Sequence, residues 1–236
     1  CSYNLFHCYL ARLLFFLGDI RDKTRLLRAF NYVDIVVHAA ALKQVPALEY
    51  NPTEAIKTNV LGAMNLIEAV GAVGTVQRVV ALSSDKSCEA MNLYGSTKHT
   101  AEKLFQAASA YAGDTSRFAC VRYGNVTGSR GSVLEVWRKC LVEGRPLPLT
   151  DERMTRFWMT ADAAVNLVLT ALTEMQGGEV FVPKLDGYRM VDMGYALGGD
   201  DVGFLKFGIR AGEKLHETLI GEHEAPRAYD LGAHFA

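Results

Sequence analysis

The sequence predicts an α/β fold, a doubly wound parallel sheet with a smaller C-terminal lobe packed on it. Three apolar, largely β-branched runs, 33–38, 78–83 and 117–122, read as strands buried on both faces. Between them lie stretches whose apolar residues recur at helical spacing, and this alternation favours parallel strands joined by right-handed crossovers. Length sets the third constraint: 236 residues, 50% of them apolar, can bury a sizeable core and are most simply one domain with a lobe appended.

In chain order, residues 13–17 read as a short buried strand ending in a turn, and Asp22 suits the N-cap of a helix carrying Leu26, Leu27 and Phe30. The strand at 33–38 runs into Ala39, Ala40 and Ala41. Small side chains just past the carboxyl end of a parallel strand either leave room for a ligand at the sheet's upper edge or allow tight helix–strand packing. A helical turn is expected at 46–50. A long helix at 53–73 carries Ala55, Ile56, Val60, Met64, Leu66, Ile67 and Val70 on its apolar side, with Asn59 inside it. After the strand at 78–83 comes a helix that holds Tyr94 and Lys98 and runs to about Tyr111, then the strand at 117–122. A Gly-rich loop, 123–132, opens a helix at 133–143, and 144–149 turns the chain. Thr160 or Asp162 caps a helix over 163–173, 179–182 is a strand, and a helix at 191–197 is stopped by Gly198 and Gly199. With no repeat or linker, 12–125 reads as the nucleotide-binding part and 126–236 as mainly the substrate lobe, interleaved with it.

Charge and cysteine usage exclude several classes. Lys plus Arg is 25 against 26 Asp plus Glu, so a net charge of −1 gives no reason to expect nucleic acid or an anionic membrane as partner. Five cysteines, odd in number and without a C-x-x-C pair, fit a reducing cytoplasm better than a disulfide framework or zinc site. No apolar run approaches the roughly 18 residues of a membrane span. Residues 1–17 are broken by His7 and Arg12 and lack the marks of a signal peptide. His38, His99, His216 and His223 show no metal-ligand spacing, and no metal is assigned.

The chemistry concentrates in residues 82–98. Tyr94 and Lys98 are four apart and share a helical face. An ammonium beside a phenol favours phenolate and pulls the tyrosine below its reference pKa of about 10, toward the range that proton transfer from a sugar hydroxyl needs. Tyr-x-x-x-Lys by itself also occurs on solvated helix faces, and Asp85-Lys86 by itself is also an ordinary solvated turn. Their adjacency, with Ser83 and Ser84 closing the preceding strand, adds the weight.

Leu82-Ser83-Ser84-Asp85-Lys86 with Asn92-Leu93-Tyr94-Gly95-Ser96-Thr97-Lys98 resembles the short-chain dehydrogenase/reductase superfamily in its extended, sugar-nucleotide-modifying branch. The wording is most similar to the inverting UDP-N-acetylglucosamine 4,6-dehydratases of the pseudaminic-acid, flagellin-modification type, within the polysaccharide biosynthesis protein family. Residues 208–217 are a second distinctive match, with Ala211 where the family more often has Pro. The resemblance covers about 12–229 and implies a Rossmann-like sheet, a tightly held NADP (or NAD), UDP-N-acetylglucosamine as substrate and a homo-oligomer. Within it, Tyr94 would remove the C4 hydroxyl proton, Lys98 would lower its pKa and hold the nicotinamide ribose, and Ser84 would hydrogen-bond the same hydroxyl. Lys86 would be the base at C5 and Asp85 the acid on the C6 hydroxyl. The resemblance places Asp19, Ile20, Ala39, Ala40, Ala41, Asn59, Ser83 and Tyr123 toward the cofactor, and Lys43, Asn125, Arg130, Gly131, Ser132, Arg156, Arg210 and Glu213 toward the UDP-sugar. Asp85-Lys86, where retaining dehydratases carry Asp-Glu and 4-epimerases lack the pair, points to inversion at C5.

One expected part is absent from the sequence. No G-x-G-x-x-G opens it, so the family's first strand, first helix and second strand have no counterpart, and the chain begins on Cys1. The expectation is a Rossmann-like sheet lacking its first βαβ unit, in a chain truncated at both ends. Two other readings stand beside the dehydratase: a UDP-sugar 4-epimerase of the same superfamily, and a non-catalytic chain that binds nucleotide or forms an oligomer interface.

Overall fold

The computed structural model describes residues 14–112, 115–129 and 131–236. The main sheet contains β1 (Ile35–His38), β2 (Arg78–Leu82), β3 (Arg117–Val121), β7 (Val180–Pro183) and β10 (His234–Phe235), in that spatial order. The first four are parallel and β10 is antiparallel to β7. Side chains alternate across a strand, so each run feeds two cores. Val79, Ala81, Phe118 and Cys120 pack with Leu66 and Val70 of helix α4 (Gly62–Val73) and Phe105 of helix α5 (Leu93–Ala112). Val80, Ala119 and Val121 face the other way, against Leu167 and Ala171 of helix α7 (Ala161–Glu174). The long apolar runs are strands because both faces are covered.

Local signals set most boundaries. Asp22 caps α1 (Lys23–Ala29), its Oδ1 accepting from Arg25 N at 3.0 Å, and Thr160 caps α7 by accepting from Ala163 N at 3.1 Å. The expected turn at 46–50 is helix α2 (Val45–Tyr50). The single helix expected at 53–73 is divided into α3 (Pro52–Ala55), a π-helical stretch (Ile56–Leu61) and α4. Asn59 lies in the π stretch, a wider turn that often marks functional ground.

The lobe is built from α6 (Val133–Val142), β5 (Leu147–Leu149), β6 (Thr155–Met159), β8 (Gly187–Arg189), α8 (Met190–Gly198) and β9 (Phe204–Lys206). Its core gathers Leu134, Trp137, Leu147, Leu149, Trp158 and Met190. β6 also pairs with β4 (Asn125–Val126), which joins the lobe to the loop leaving β3.

One expected element does not form. Residues 14–17 make no strand, and Leu14, Phe15 and Leu17 are 83%, 83% and 93% exposed. A strand needs a neighbour to take its backbone hydrogen bonds, and no described strand lies beside this stretch. It is tied to α1 instead: Arg25 Nε donates to the Leu17 carbonyl at 2.7 Å and its guanidinium lies 4.9 Å from the Phe16 ring. Leu13 and residues 1–12 lie outside the described residues.

Candidate active site

Ser83 to Ser87 leave the carboxyl end of β2 and hang from the exit of β3. Ser83 N donates to Val121 O at 2.7 Å and Asp85 N to Tyr123 O at 3.0 Å, so main-chain pairing continues past both strands. A 3₁₀ turn (Asp85–Ser87) follows, and the Ser84 hydroxyl caps it by accepting from Lys86 N at 3.3 Å. Ser87 Oγ lies 2.6 Å from Ser84 O and 2.7 Å from Glu102 Oε1, one hydrogen serving both. Glu102, on α5, is forked to Arg122 at 2.7 and 3.1 Å, and Arg122 reaches Glu224 at 2.7 and 2.9 Å. A buried ionic frame therefore fixes the turn to helix, sheet and C-terminal segment.

Helix α5 is pressed against that turn. Asn92 Oδ1 accepts from Gly95 N at 2.8 Å at the helix start. A Cβ on Gly95 would stand 2.1 Å from the Lys86 carbonyl oxygen, so only glycine allows this approach. The contact sets Tyr94, 9% exposed, beside Ser84, Asp85 and Lys86. Asp85 is 1% exposed, and its Oδ1 accepts from Ser84 Oγ at 2.9 Å and from Lys86 Nζ at 3.2 Å.

The electrostatics differ from the expectation in one respect. Spacing predicts Lys98 as the ammonium acting on the phenol, but Lys98 Nζ donates to the Leu82 carbonyl, and burial pushes its pKa down. The ammonium acting on Tyr94 belongs to Lys86. Burial pushes the Tyr94 pKa up, and the Ser84 hydroxyl and Lys86 offset part of that rise. Sharing a helix face did not make Tyr94 and Lys98 partners, because a carbonyl at the end of β2 lies within reach of the longer side chain.

Other expected residues divide by place. Tyr123 joins the cluster through its carbonyl bond to Asp85 N. Gly131 lies against the Gln44 side chain, which brings the 123–132 loop to the rim that carries exposed Lys43 and the Ala39–Ala41 exit of β1. Asn125 pairs with Trp158 within β4 and β6, and the Ser132 hydroxyl is buried at the start of α6 with no partner among the described residues. Arg130 lies outside the described residues. Asn59 spans the main chain of Leu42, accepting from its N at 2.8 Å and donating to its O at 2.9 Å, and donates to Thr97 Oγ1 at 3.0 Å. Its amide thus holds the β1 exit in shape. Asp19 and Ile20 stand apart from this cluster: Asp19 is paired with Arg21 at 2.8 Å, and Ile20 packs on the α4 core. Arg156, 6% exposed, donates to the carbonyls of Thr155, Lys214 and Leu215, so it is engaged in holding the 208–217 loop, and its Nη2 lies 3.5 Å from Glu213. Glu213 also takes Arg210 at 3.1 Å, with the Arg210 side chain 58% exposed.

Sequence reasoning overlooked four residues here. Asn92 Nδ2 donates to Gly212 O at 2.8 Å and Lys214 Nζ to Cys88 O at 2.6 Å, clamping the 208–217 loop over the turn. Glu102 ties the turn to Arg122. Glu217, 8% exposed, sits 3.2 Å from Lys86 Nζ. A carboxylate 15 or more residues from its partner, as these two are, leaves no local spacing signal. A cavity of about 410 Å³ lies elsewhere, between α5, β7 and the C-terminal segment, and its lining includes none of Ser84, Asp85, Lys86 or Tyr94.

A parallel sheet wound on both faces, with a serine, an acid–amine pair and a tyrosine gathered at its carboxyl edge, is the architecture of an extended short-chain dehydrogenase/reductase. The chain belongs to the polysaccharide biosynthesis protein family, whose model matches residues 6–236, six residues earlier than the resemblance in the sequence suggested. It is 47% identical over 224 residues to a UDP-N-acetylglucosamine 4,6-dehydratase (inverting) of Campylobacter jejuni, covering 94% of this chain and 66% of that protein. A UDP-glucose 4-epimerase of Rickettsia canadensis is 39% identical over 228 residues, 95% of this chain and 67% of that one. Among solved structures, Pen from Bacillus thuringiensis superposes with a TM-score of 0.90 at 34% identity, over all of this chain and 78% of Pen. The chain thus spans slightly less than two thirds of the dehydratase it matches. Among the described residues, no helix is long and apolar enough to cross a membrane.

Proposed function

We propose that the chain carries the acid–base and substrate-binding machinery of a UDP-N-acetylglucosamine 4,6-dehydratase that inverts C5, acting with NADP or NAD in the cytoplasm as a homo-oligomer. The observation that carries this reading is the convergence of Asp85, Lys86 and Tyr94 in one surround at the sheet's carboxyl edge. The 47% identity to the Campylobacter enzyme supports the same assignment.

The residues fit the nicotinamide side of such a cofactor. Ala39 and Ala40 are exposed just past β1, Ser83 offers a buried hydroxyl with no partner among the described residues, and Lys98 and Tyr123 stand at the neighbouring strand ends. When bound, NAD(P) supplies the hydride acceptor and donor for carbons 4 and 6 of the sugar. Tyr94 takes the proton from the C4 hydroxyl, which Ser84 holds by a hydrogen bond. Once C4 is a ketone the C5 proton is acidic. Lys86 removes it, and Asp85 protonates the C6 hydroxyl as it leaves as water.

Lys86 begins as an ammonium. Burial pulls its pKa down, Asp85 and Glu217 push it up, and the balance is upward. At 3.2 Å a proton passes directly from Lys86 Nζ to Asp85 Oδ1, producing the amine and the carboxylic acid that elimination requires with no change in net charge. Arg210 is the exposed guanidinium suited to the diphosphate, with Lys43, Asn125, Gly131 and Ser132 along the rim.

The 39% identity to a UDP-glucose 4-epimerase favours a second reading, in which only C4 is inverted. Incubation with UDP-N-acetylglucosamine separates them. A 4-keto-6-deoxy product formed with loss of water supports the dehydratase, a C4 epimer alone supports the epimerase, and no thermal shift with UDP or NADP leaves only an interaction role.

A further inference from the structure

Glu217 reaches the candidate site from the far end of the 208–217 loop. Its side chain is 2% exposed, and its Oε1 stands 3.2 Å from Lys86 Nζ, the same separation as Asp85 Oδ1. One ammonium is held between two carboxylates that come from different segments. Each carboxylate keeps one buried oxygen without a partner among the described residues, Asp85 Oδ2 and Glu217 Oε2. A buried carboxylate with an orphan oxygen costs stability, and a glutamine or methionine would fill the same space with no charge to bury. Such an arrangement gains its return through Lys86.

We propose that Glu217 is a positioning residue for Lys86: it holds the amine opposite Asp85 and stabilises the ammonium that forms when Lys86 takes a proton from carbon. What Lys86 does with that proton rests on the dehydratase reading; how Glu217 holds Lys86 does not. In the working state Lys86 is an amine, Asp85 a carboxylic acid and Glu217 a carboxylate. The C5–H bond breaks and its proton goes to Nζ, while its electron pair becomes the C5–C6 double bond. The C6–O bond breaks, and the hydroxyl leaves with the Asp85 proton as water. The net charge of Asp85, Lys86 and Glu217 is the same before and after, so the buried cluster needs no outside counter-ion during the step. Groups facing Lys86 are Asp85 from its own turn, Tyr94 from α5, Arg156 from β6 and Glu217 from the loop. Arg156 opposes the ammonium and the two carboxylates favour it.

The test uses Glu217→Gln, which keeps shape and removes charge, and Glu217→Asp, which keeps charge. Lys86 is labelled with an amine-specific reagent across pH without substrate, and the extent at that one lysine is read by peptide mass spectrometry. Loss of a carboxylate at 3.2 Å should move the labelling midpoint to lower pH in Glu217→Gln by roughly one unit or more, and Glu217→Asp should restore most of it. In turnover, Glu217→Gln should lower kcat roughly ten- to hundred-fold with KM for UDP-N-acetylglucosamine little changed. An unmoved midpoint in a folded Glu217→Gln protein overturns the inference even if dehydratase activity is present. A moved midpoint in a protein that does not dehydrate UDP-N-acetylglucosamine sustains it while the functional reading falls.

Discussion

Replacing Gly95 with alanine puts a methyl group where the Lys86 carbonyl oxygen already stands. The added Cβ would lie 2.1 Å from that oxygen and 3.1 Å from the Ala90 Cβ, whereas ordinary contact begins at 3.4 Å. The nearest atom is backbone, so no side chain can swing aside. Helix α5 and the Asp85–Ser87 turn must part by roughly 1 Å. Overpacking of this kind costs about 1–3 kcal/mol, against which alanine's better helix propensity returns up to about 1 kcal/mol. The Tm should therefore fall by a few degrees only. Activity should suffer far more, because Tyr94 rides on the helix while Asp85 and Lys86 ride on the turn. Parting them by that distance moves reacting groups out of line, a change worth on the order of 10²-fold in rate. Thermal unfolding and turnover of UDP-N-acetylglucosamine, measured on the same preparation of Gly95→Ala, separate the two effects. A variant with wild-type kcat and wild-type Tm would refute the close helix–turn contact and the geometry built on it.

Three further perturbations follow from buried groups. His38 is 5% exposed, and burial, with Lys98 adding to it, lowers its pKa from 6.5 to about 4. The unfolded chain therefore binds this proton first; stability is intact above pH 6.5 and declines as pH falls toward 4, by up to about 3 kcal/mol, and His38→Asn should flatten that part of a stability–pH curve. Arg122→Met leaves Glu102 buried at 2% exposure without its partner, which should cost about 3–5 kcal/mol in urea unfolding, and adding Glu102→Gln should recover part of the loss. Asn59→Ala strands the Leu42 main-chain N–H and C=O that its amide now satisfies, and a lowered urea midpoint at unchanged slope, equivalent to about 1–3 kcal/mol, is expected.

What could be read from sequence was what depends on neighbours in sequence. The strands β2 and β3 are continuous apolar runs, and the caps Asp22 and Thr160 act within three residues of themselves, so both were legible. The short strands β8, β9 and β10, of three, three and two residues, carry no period and take their identity from distant partners such as Thr155, Leu147 and Pro183. The 14–17 stretch shows the opposite failure, since apolar content suggested a strand that no described neighbour pairs with. In the candidate site, Ser84, Asp85, Lys86 and Tyr94 were legible because they lie within eleven residues. Lys98 was placed correctly on the Tyr94 helix, yet its ammonium went to the Leu82 carbonyl, a contact that helical spacing does not encode. Glu217 and Glu102 were invisible for the same reason as the short strands: only the fold brings them to Lys86 and Arg122.

If Asp85 and Lys86 face the two ends of the sugar's C5–C6 bond, UDP-N-acetylglucosamine turned over in deuterium oxide must gain deuterium at C5, with inversion there and loss of the C6 hydroxyl. Lys86→Ala should abolish the C5 label. A product changed only at C4, with its original hydrogen still on C5, would contradict the assignment of this acid–amine pair to elimination.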